Sequence, residues 1–208
     1  MASKKILLVE GGDDEHVLKH VCGTRGVPDL DEITPQGSVD QLLENFPVRL
    51  KGSDIEALGV VIDADTDING RWEGLKDRLV KAGYLNIPAN PEAGGIIVMP
   101  PPNTLLPRFG VWIMPDNQNT GILEDFLRTL VPTGSALFSR AENDVNSIPA
   151  NERLFSLLAK PKAIMHTWLA WQEEPGLPFG TAIKAGYLDS SAAPVDTLVS
   201  WLNRLFFP

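Results

Sequence analysis

Short continuous apolar runs recur along the first half of the chain and are separated by amphipathic stretches. Residues 5–9, 57–62 and 109–114 form the clearest runs, residues 94–99 form a weaker one, and residues 32–34 are a further candidate strand. Runs without polar alternation are typical of parallel strands that are buried on both faces of a sheet. The pattern therefore predicts strands at these five places.

Helices are predicted between and after these strands. Asp13-Asp14-Glu15 opens the first one, since acidic side chains suit the positive end of a helix, and Gly23 and Gly26 are expected to end it. Others are predicted from Ser38, after residue 67, and at 121–130, 163–171 (behind Pro161) and 194–206. Alternating strands and helices predict an α/β fold with a mainly parallel, Rossmann-like sheet flanked by helices. We expect residues 1–135 to form this core and residues 136–208 a mainly helical C-terminal portion packed on it as one compact domain.

The composition is that of an ordinary globular protein. The 208 residues are 43% hydrophobic and 22% charged, and no apolar run reaches the length of a membrane span. With no targeting signal, we expect a cytoplasmic location. A single cysteine, Cys22, excludes an intrachain disulfide and a cysteine-based zinc site, and a buried thiol is the simplest interpretation.

Negative charge is concentrated in the first third of the chain. Residues 1–70 contain 14 acidic and 6 basic residues, whereas residues 71–208 contain 13 and 12. An acidic surface repels nucleic acid unless cations bridge the two. A solvated acidic face is the alternative interpretation of the same pattern.

Acidic side chains follow several of the predicted strands. Glu10 follows the first, Asp63 and Asp65 the third, and Asp116 a later one, while Asp14 lies one helical turn beyond Glu10. Ligands of parallel α/β sheets bind beyond the carboxyl ends of the strands. In an extended strand end Asp63 and Asp65 would face the same side. Converging carboxylates favour an oxygen-liganded cation such as Mg²⁺ or Mn²⁺. As single residues, the acids could instead be helix caps and turn formers.

These motifs resemble a known family. The segment Leu7-Leu8-Val9-Glu10-Gly11 before an acidic helix start, followed by a hydrophobic strand ending in Asp63-Ala64-Asp65, is similar to the Toprim domain. The chain looks closest to small Toprim-like proteins related to nucleases of the overcoming-lysogenization-defect (OLD) kind. This resemblance extends to Pro115-Asp116, the 121–126 segment and residues 166–171.

The resemblance implies roles for individual residues. Glu10 takes the place of the family's glutamate, Asp63 and Asp65 those of its two metal-binding aspartates, and Asp14 that of an acid one turn after the glutamate. Asp67 extends the acidic run, and Glu124 is loosely similar in position to a later acid of the OLD-like branch. The candidate metal ligands are therefore Glu10, Asp14, Asp63, Asp65, Asp67, Asp116 and Glu124, with Glu10, Asp63 and Asp65 as the catalytic members.

The resemblance also implies an activity. Tyr84 and Tyr187 lack the setting of a topoisomerase tyrosine, and one cysteine cannot supply the zinc module of bacterial primases. Phosphodiester hydrolysis of nucleic acid with Mg²⁺ or Mn²⁺ remains, with metal bridging to the substrate and DNA favoured over RNA. OLD nucleases carry an ATPase domain, but this chain has no GxxxxGK[ST] loop, so a separate ATPase partner is one expectation.

Several alternatives stay open. A phosphoacceptor receiver domain would use Asp63 and an acidic pocket, but Lys160 and Lys162 are poorly placed for its lysine. A haloacid-dehalogenase phosphatase places its aspartate pair on the first strand, which is not the case here. An inactive module that binds metal and a partner protein, with residues 164–207 as its candidate interface, would need no catalysis.

The histidines offer a weaker metal hypothesis. His16 and His20 are four residues apart on a predicted helix, but Val17 stands where a zinc protease needs glutamate. A surface or core-edge pair is therefore the simpler interpretation. His166, beside Trp168, is expected to be a buried structural histidine, with a phosphate contact as the alternative.

Overall fold

The structure, a computed structural model, describes residues 3–208. Its strands are β1 (Lys4–Val9), β2 (Glu32–Pro35), β3 (Ile55–Asp63), β4 (Ile96–Val98) and β5 (Arg108–Met114). Its helices are α1 (Gly12–Arg25), α2 (Val39–Arg49), α3 (Ile68–Ala82), α4 (Leu123–Arg128), α5 (Ala136–Ser147), α6 (Lys160–Leu169), α7 (Phe179–Lys184) and α8 (Ala193–Phe206).

The strands form one sheet in the order β2-β1-β3-β5-β4. β1 pairs in parallel with β2 and β3, β3 pairs in parallel with β5, and β4 runs antiparallel to β5 at the edge. The α/β, Rossmann-like class with a mainly parallel sheet, flanking helices and a helical C-terminal portion is therefore confirmed. All five expected strands form, although the 94–99 segment contributes only the three residues of β4.

Helices cover both faces of the sheet and enclose two separate cores. On one face, Leu8 and Val60 pack with Phe46 of α2 and Trp72 of α3. On the other face, α1 and the helices α4 to α8 bury residues that run from Leu7 to Phe206 in one continuous cluster. The apolar runs of the central strands are continuous because alternate side chains enter each of these cores.

The C-terminal helix α8 approaches the sheet closely at two glycines. Gly59 of β3 and Gly110 of β5 are register partners, and a Cβ atom on Gly110 would lie 2.3 Å from Cδ2 of Leu205. A Cβ atom on Gly59 would lie 3.0 Å from the same atom. The absence of side chains at these two positions therefore creates the space that Leu205 fills.

Three helices differ from expectation in their boundaries, and one of them, α6, spans Lys160–Leu169 rather than 163–171. α1 continues through Gly23 and ends at Gly26, whose φ of 66° gives the left-handed conformation that commonly terminates helices. α4 spans only Leu123–Arg128 rather than 121–130, because Gly121 adopts a φ of 141° and pairs its backbone with Asp65. No helix among residues 3–208 has the length and apolar character to cross a membrane.

Candidate functional site

Two acidic residues lie side by side at the carboxyl ends of neighbouring strands. Glu10 directly follows β1, and Asp63 is the last residue of β3. The backbone N–H of Asp63 donates a hydrogen bond to Oε2 of Glu10, with a nitrogen–oxygen distance of 3.3 Å. The sheet order therefore brings together residues that are 53 positions apart in sequence.

Asp14 enters the same region from the first turn of α1. The turn after β1 starts the helix at Gly12, and the Gly11 N–H donates to Oδ2 of Asp14 at 3.0 Å. The Asp14 side chain is buried, and within the described residues its Oδ1 has no hydrogen-bond partner. A buried carboxylate oxygen without a partner is costly unless a ligand satisfies it.

The start of α4 supplies the other side of the site. The Leu123 N–H donates to Oδ1 of Asp63 at 2.9 Å, which fixes the helix start against β3. Glu124, the next residue, is buried and lies 3.5 Å from the Nζ of Lys162 on α6. The same Lys162 nitrogen lies 3.1 Å from Asp13 on α1.

These side chains line one open cleft with a volume of about 420 Å³. Four of the predicted ligands contribute to it, and Lys162 provides a cation at its edge. The predicted members present in this acidic cleft are Glu10, Asp14, Asp63 and Glu124.

Burial and mutual repulsion disfavour ionisation of the two aspartates. Burial is the main cause that raises the pKa of Asp63 to about 9, and the charges of Asp14, Glu10 and Glu124 raise it further. The pKa of Asp14 rises to about 7, again chiefly through burial, although the Gly11 hydrogen bond opposes the change. Strongly shifted carboxyl groups in a cleft are typical of functional sites.

The pKa values of the two glutamates are also raised, and hydrogen bonds or nearby positive charges oppose the shift in each. Burial raises the pKa of Glu10, while the hydrogen bond from the Asp63 backbone and the positive charge of Arg71 oppose it. Burial also raises the pKa of Glu124, and Lys162 opposes that shift. Lys162 thus acts as an internal counter-ion for part of the acidic cleft.

The oxygen donors suit a hard cation, but they are not yet gathered around one point. Among residues 3–208, no group of three or more His, Cys, Asp or Glu side chains is arranged to hold a metal ion as it stands. The unpartnered Oδ1 of Asp14 and the shifted pKa of Asp63 are features that a bound cation would relieve.

Asp65 departs from the geometry expected of a strand end. β3 stops at Asp63, and Asp65 has a φ of 51°, so the assumption of an extended strand that places both aspartates on one side is wrong. The Asp65 carboxylate forms an ion pair with Arg71. Its negative charge still contributes to raising the pKa values of Glu10 and Asp63, so it lies within electrostatic reach of the cleft.

Asp67 and Asp116 have local structural partners. Asp67 is the N-cap of α3, where its Oδ1 accepts a hydrogen bond from Gly70 N at 2.9 Å. Asp116 closes a turn by accepting hydrogen bonds from the backbone N–H groups of Gln118 and Asn119. Burial raises the pKa of Asp116, but these bonds and one from the Asn119 side chain outweigh it and leave the value lowered. Neither residue lines the acidic cleft.

The remaining singled-out residues lie elsewhere. His16 is exposed and His20 is half-buried where α7 approaches α1 at Gly180, as expected for a core-edge pair. The expectation that His166 is buried is wrong, because it is exposed with its ring 4.8 Å from that of Phe179. Cys22 is a free buried thiol, as expected, and burial raises its pKa to about 11.

The sequence interpretation missed Lys162. Lys162 lies far along the chain from the fifth strand and therefore looks poorly placed in the sequence, yet α6 carries it to the acidic cleft. The available signal was Lys160-Pro161-Lys162, in which proline marks a helix start and two lysines flank it.

Comparison with known protein families gives one match. Residues 4–207 match the model of a family described as "Protein of unknown function (DUF3226)". The chain belongs to this family. The DUF3226 match covers the sheet, the acidic cleft and the C-terminal helices together. No curated protein and no solved structure matches the chain.

Proposed function

We propose that the acidic cleft binds Mg²⁺ or Mn²⁺ and hydrolyses phosphodiester bonds in nucleic acid. The observation that supports this most directly is the buried Asp14, which has an unpartnered Oδ1 and lines a cleft shared with Asp63, Glu10 and Glu124. A divalent cation would satisfy that oxygen and offset the repulsion among the carboxylates. Carboxylate oxygens are also the ligands that these two metals prefer.

Each side chain has a distinct part in this proposal. Asp14 of α1 and Asp63 of β3 would hold the cation, with Glu10 and Glu124 completing the oxygen set after side-chain rotation. When bound, the metal would stabilise the charge that develops on the attacking and leaving oxygens of the phosphodiester. Arg71, which is ion-paired with Asp65, lies within electrostatic reach of Glu10, and its positive charge favours the ionised carboxylate.

An acidic cleft repels a polyanion such as nucleic acid unless cationic groups offset its charge. Lys162 borders the cleft, and Lys160 lies two residues earlier, at the start of the same helix, whose N-terminus is itself partially positive. Together with the cation, these groups would offset the repulsion between phosphate and carboxylates. DNA as the preferred substrate, Toprim kinship and a separate ATPase partner stay predictions from the family resemblance.

A cleavage assay with matched variants tests the proposal. Supercoiled plasmid and a single-stranded oligonucleotide would be incubated with Mg²⁺ or Mn²⁺ and the wild-type protein, Asp14→Asn or Asp63→Asn. Both variants preserve side-chain shape and are expected to lose cleavage and Mn²⁺ binding, measured by titration calorimetry. Asp116→Asn, which changes an acid outside the cleft, should leave both intact.

The same experiment separates the alternatives. Mn²⁺ binding that depends on Asp63, without cleavage under any metal, would support a binding module instead of a nuclease. Stable phosphorylation of Asp63 by acetyl phosphate would support a receiver-like function. Cleavage that survives in both Asp14→Asn and Asp63→Asn would contradict catalysis at this cleft.

A further inference from the structure

A second cavity adjoins the acidic cleft and shares one wall with it. It has a volume of about 290 Å³ and lies among α4, α5 and α6. Glu124 lines both spaces, so the cavity opens directly beside the carboxylates. Apart from Glu124 and Lys160, no residue with a role in the proposed function lines it.

This cavity, the side pocket, has an apolar inner wall. Phe138 of α5 and Met165 of α6 are buried there, together with Ile164. The Phe138 ring meets Trp168 edge to face, with 5.8 Å between ring centroids and an interplanar angle of 82°. An aromatic ring and a thioether are favourable neighbours for a flat π-system.

The rim of the side pocket is polar and carries cations. Arg128 and Glu142 form an ion pair at 2.5 Å across α4 and α5, and Asn146 lies one turn beyond Glu142. Lys160 also lines the pocket and forms no ion pair within residues 3–208. The rim thus offers an amide, a carboxylate and a guanidinium for hydrogen bonds, and an ammonium group free to meet a phosphate.

We propose that the side pocket holds a nucleobase of the strand whose phosphodiester lies in the acidic cleft. A volume near the small end of ligand pockets suits one planar heterocycle rather than a whole nucleotide. Nucleobases combine a π-face, which fits Phe138 and Met165, with edges that hydrogen-bond to groups such as Asn146. This inference rests on the proposed function, and it restricts the substrate to a strand with an unpaired base at the site of cleavage.

Two small probes separate base binding from phosphate binding. Deoxyadenosine monophosphate and 2-deoxyribose 5-phosphate share a sugar phosphate, and only the first carries a base. In the presence of Mn²⁺ we expect wild-type protein to bind the nucleotide about tenfold more tightly, which matches one stacked base. Titration calorimetry measures both affinities.

A pair of leucine variants locates that difference. Leu157 lines the pocket and is largely exposed, whereas Leu154, three residues earlier, is fully exposed and outside it. Leu157→Trp should obstruct the pocket and reduce the nucleotide's affinity to that of the sugar phosphate. Leu154→Trp makes the same change on the surface and should preserve the tenfold difference.

The outcomes distinguish this inference from the proposed function. Base-dependent affinity that Leu157→Trp alone removes supports the side pocket, even where the cleavage assay is negative. Equal affinity of wild type for both probes overturns the inference, even where cleavage is observed. Equal loss in both leucine variants also overturns it, because the effect would then not come from the pocket.

Discussion

The carboxylate of Glu10 accepts a hydrogen bond from the backbone N–H of Asp63, 3.3 Å away, and so joins the ends of β1 and β3. This bond occupies Oε2 of Glu10 and partly stabilises its ionised form. The Asp63 side chain is held independently by Leu123 N–H. Backbone groups from two directions therefore hold the two acids in place at the carboxyl ends of the strands.

The shifted acids predict that the metal-free protein loses stability as pH rises. Asp63 and Asp14 have pKa values of about 9 and about 7 in the folded protein, against an ordinary 3.8 for the unfolded chain. The folded state therefore binds more protons, and stability that is fully present below pH 4 is lost progressively as pH rises through 7 and towards 9. Urea unfolding in the presence of a chelator between pH 5 and 8.5 measures this decline.

Asp63→Asn provides the matched variant for that measurement. Asparagine retains an oxygen that can accept the Leu123 hydrogen bond but carries no charge. We expect the variant to be more stable than wild type at pH 8, by a few kcal/mol at most, and to show a flatter pH dependence. Saturating Mn²⁺ should stabilise wild type more at pH 8 than at pH 5. A wild-type stability that rises steadily from pH 5 to 8.5 in chelator would contradict this account.

Asp67 is predicted to contribute to stability as a helix cap and not to metal affinity. Its Oδ1 caps α3 through Gly70 N, and it does not line the acidic cleft. Asp67→Ala should lower the free energy of unfolding by about 0.5–2 kcal/mol, whereas Asp67→Ser should restore most of that loss as a substitute cap. Mn²⁺ affinity, measured by calorimetry, should be the same in both. A large loss of affinity in Asp67→Ser would return Asp67 to the set of ligands.

The sequence was informative where one physical rule dominated. Continuous apolar runs identified the strands, since residues such as Val60 and Val61 enter opposite cores and both must be apolar. The rule that parallel α/β sheets bind ligands at strand ends then pointed to Glu10 and Asp63. In the structure, the two strands that carry them are neighbours. These inferences needed only local pattern and chain direction.

Other features depended on tertiary contacts that no local pattern specifies. Asp65 turns away from an extended conformation because its backbone pairs with Gly121, 56 positions later. Lys162 reaches the acidic cleft only because α6 packs beside α4 and α5. His166 is exposed because α6 buries Met165 and Trp168 instead. Apolar residues lie on both sides of His166 in the sequence, so the sequence does not indicate which face of this helix is buried.

Lys162 predicts an electrostatic effect that an ordinary surface pair should lack. Lys162→Met removes the cation beside the buried Glu124, whose side chain is 5% exposed. We expect a loss of about 1–2 kcal/mol at pH 8, between the values for exposed and buried pairs. Arg140→Met removes a largely exposed pair with Asp144, 3.8 Å away, and should change stability by less than about 0.5 kcal/mol. Equal effects of the two variants in urea unfolding would show that Lys162 is not a counter-ion of the acidic cleft.

The contact between Gly110 and Leu205 predicts that the sheet does not tolerate even a methyl group at this position. A Cβ atom on Gly110 would lie 2.3 Å from Cδ2 of Leu205, which is fully buried and also close to Gly59, the register partner of Gly110. Gly110→Ala should therefore cost about 1–3 kcal/mol in urea unfolding, as overpacked cores do. Gly23→Ala is the matched control, since a Cβ there meets nothing within 4 Å in α1, and it should stabilise by about 0.5–1 kcal/mol. Adding Leu205→Val to Gly110→Ala should recover part of the loss, and strict additivity of the two changes would refute a direct clash.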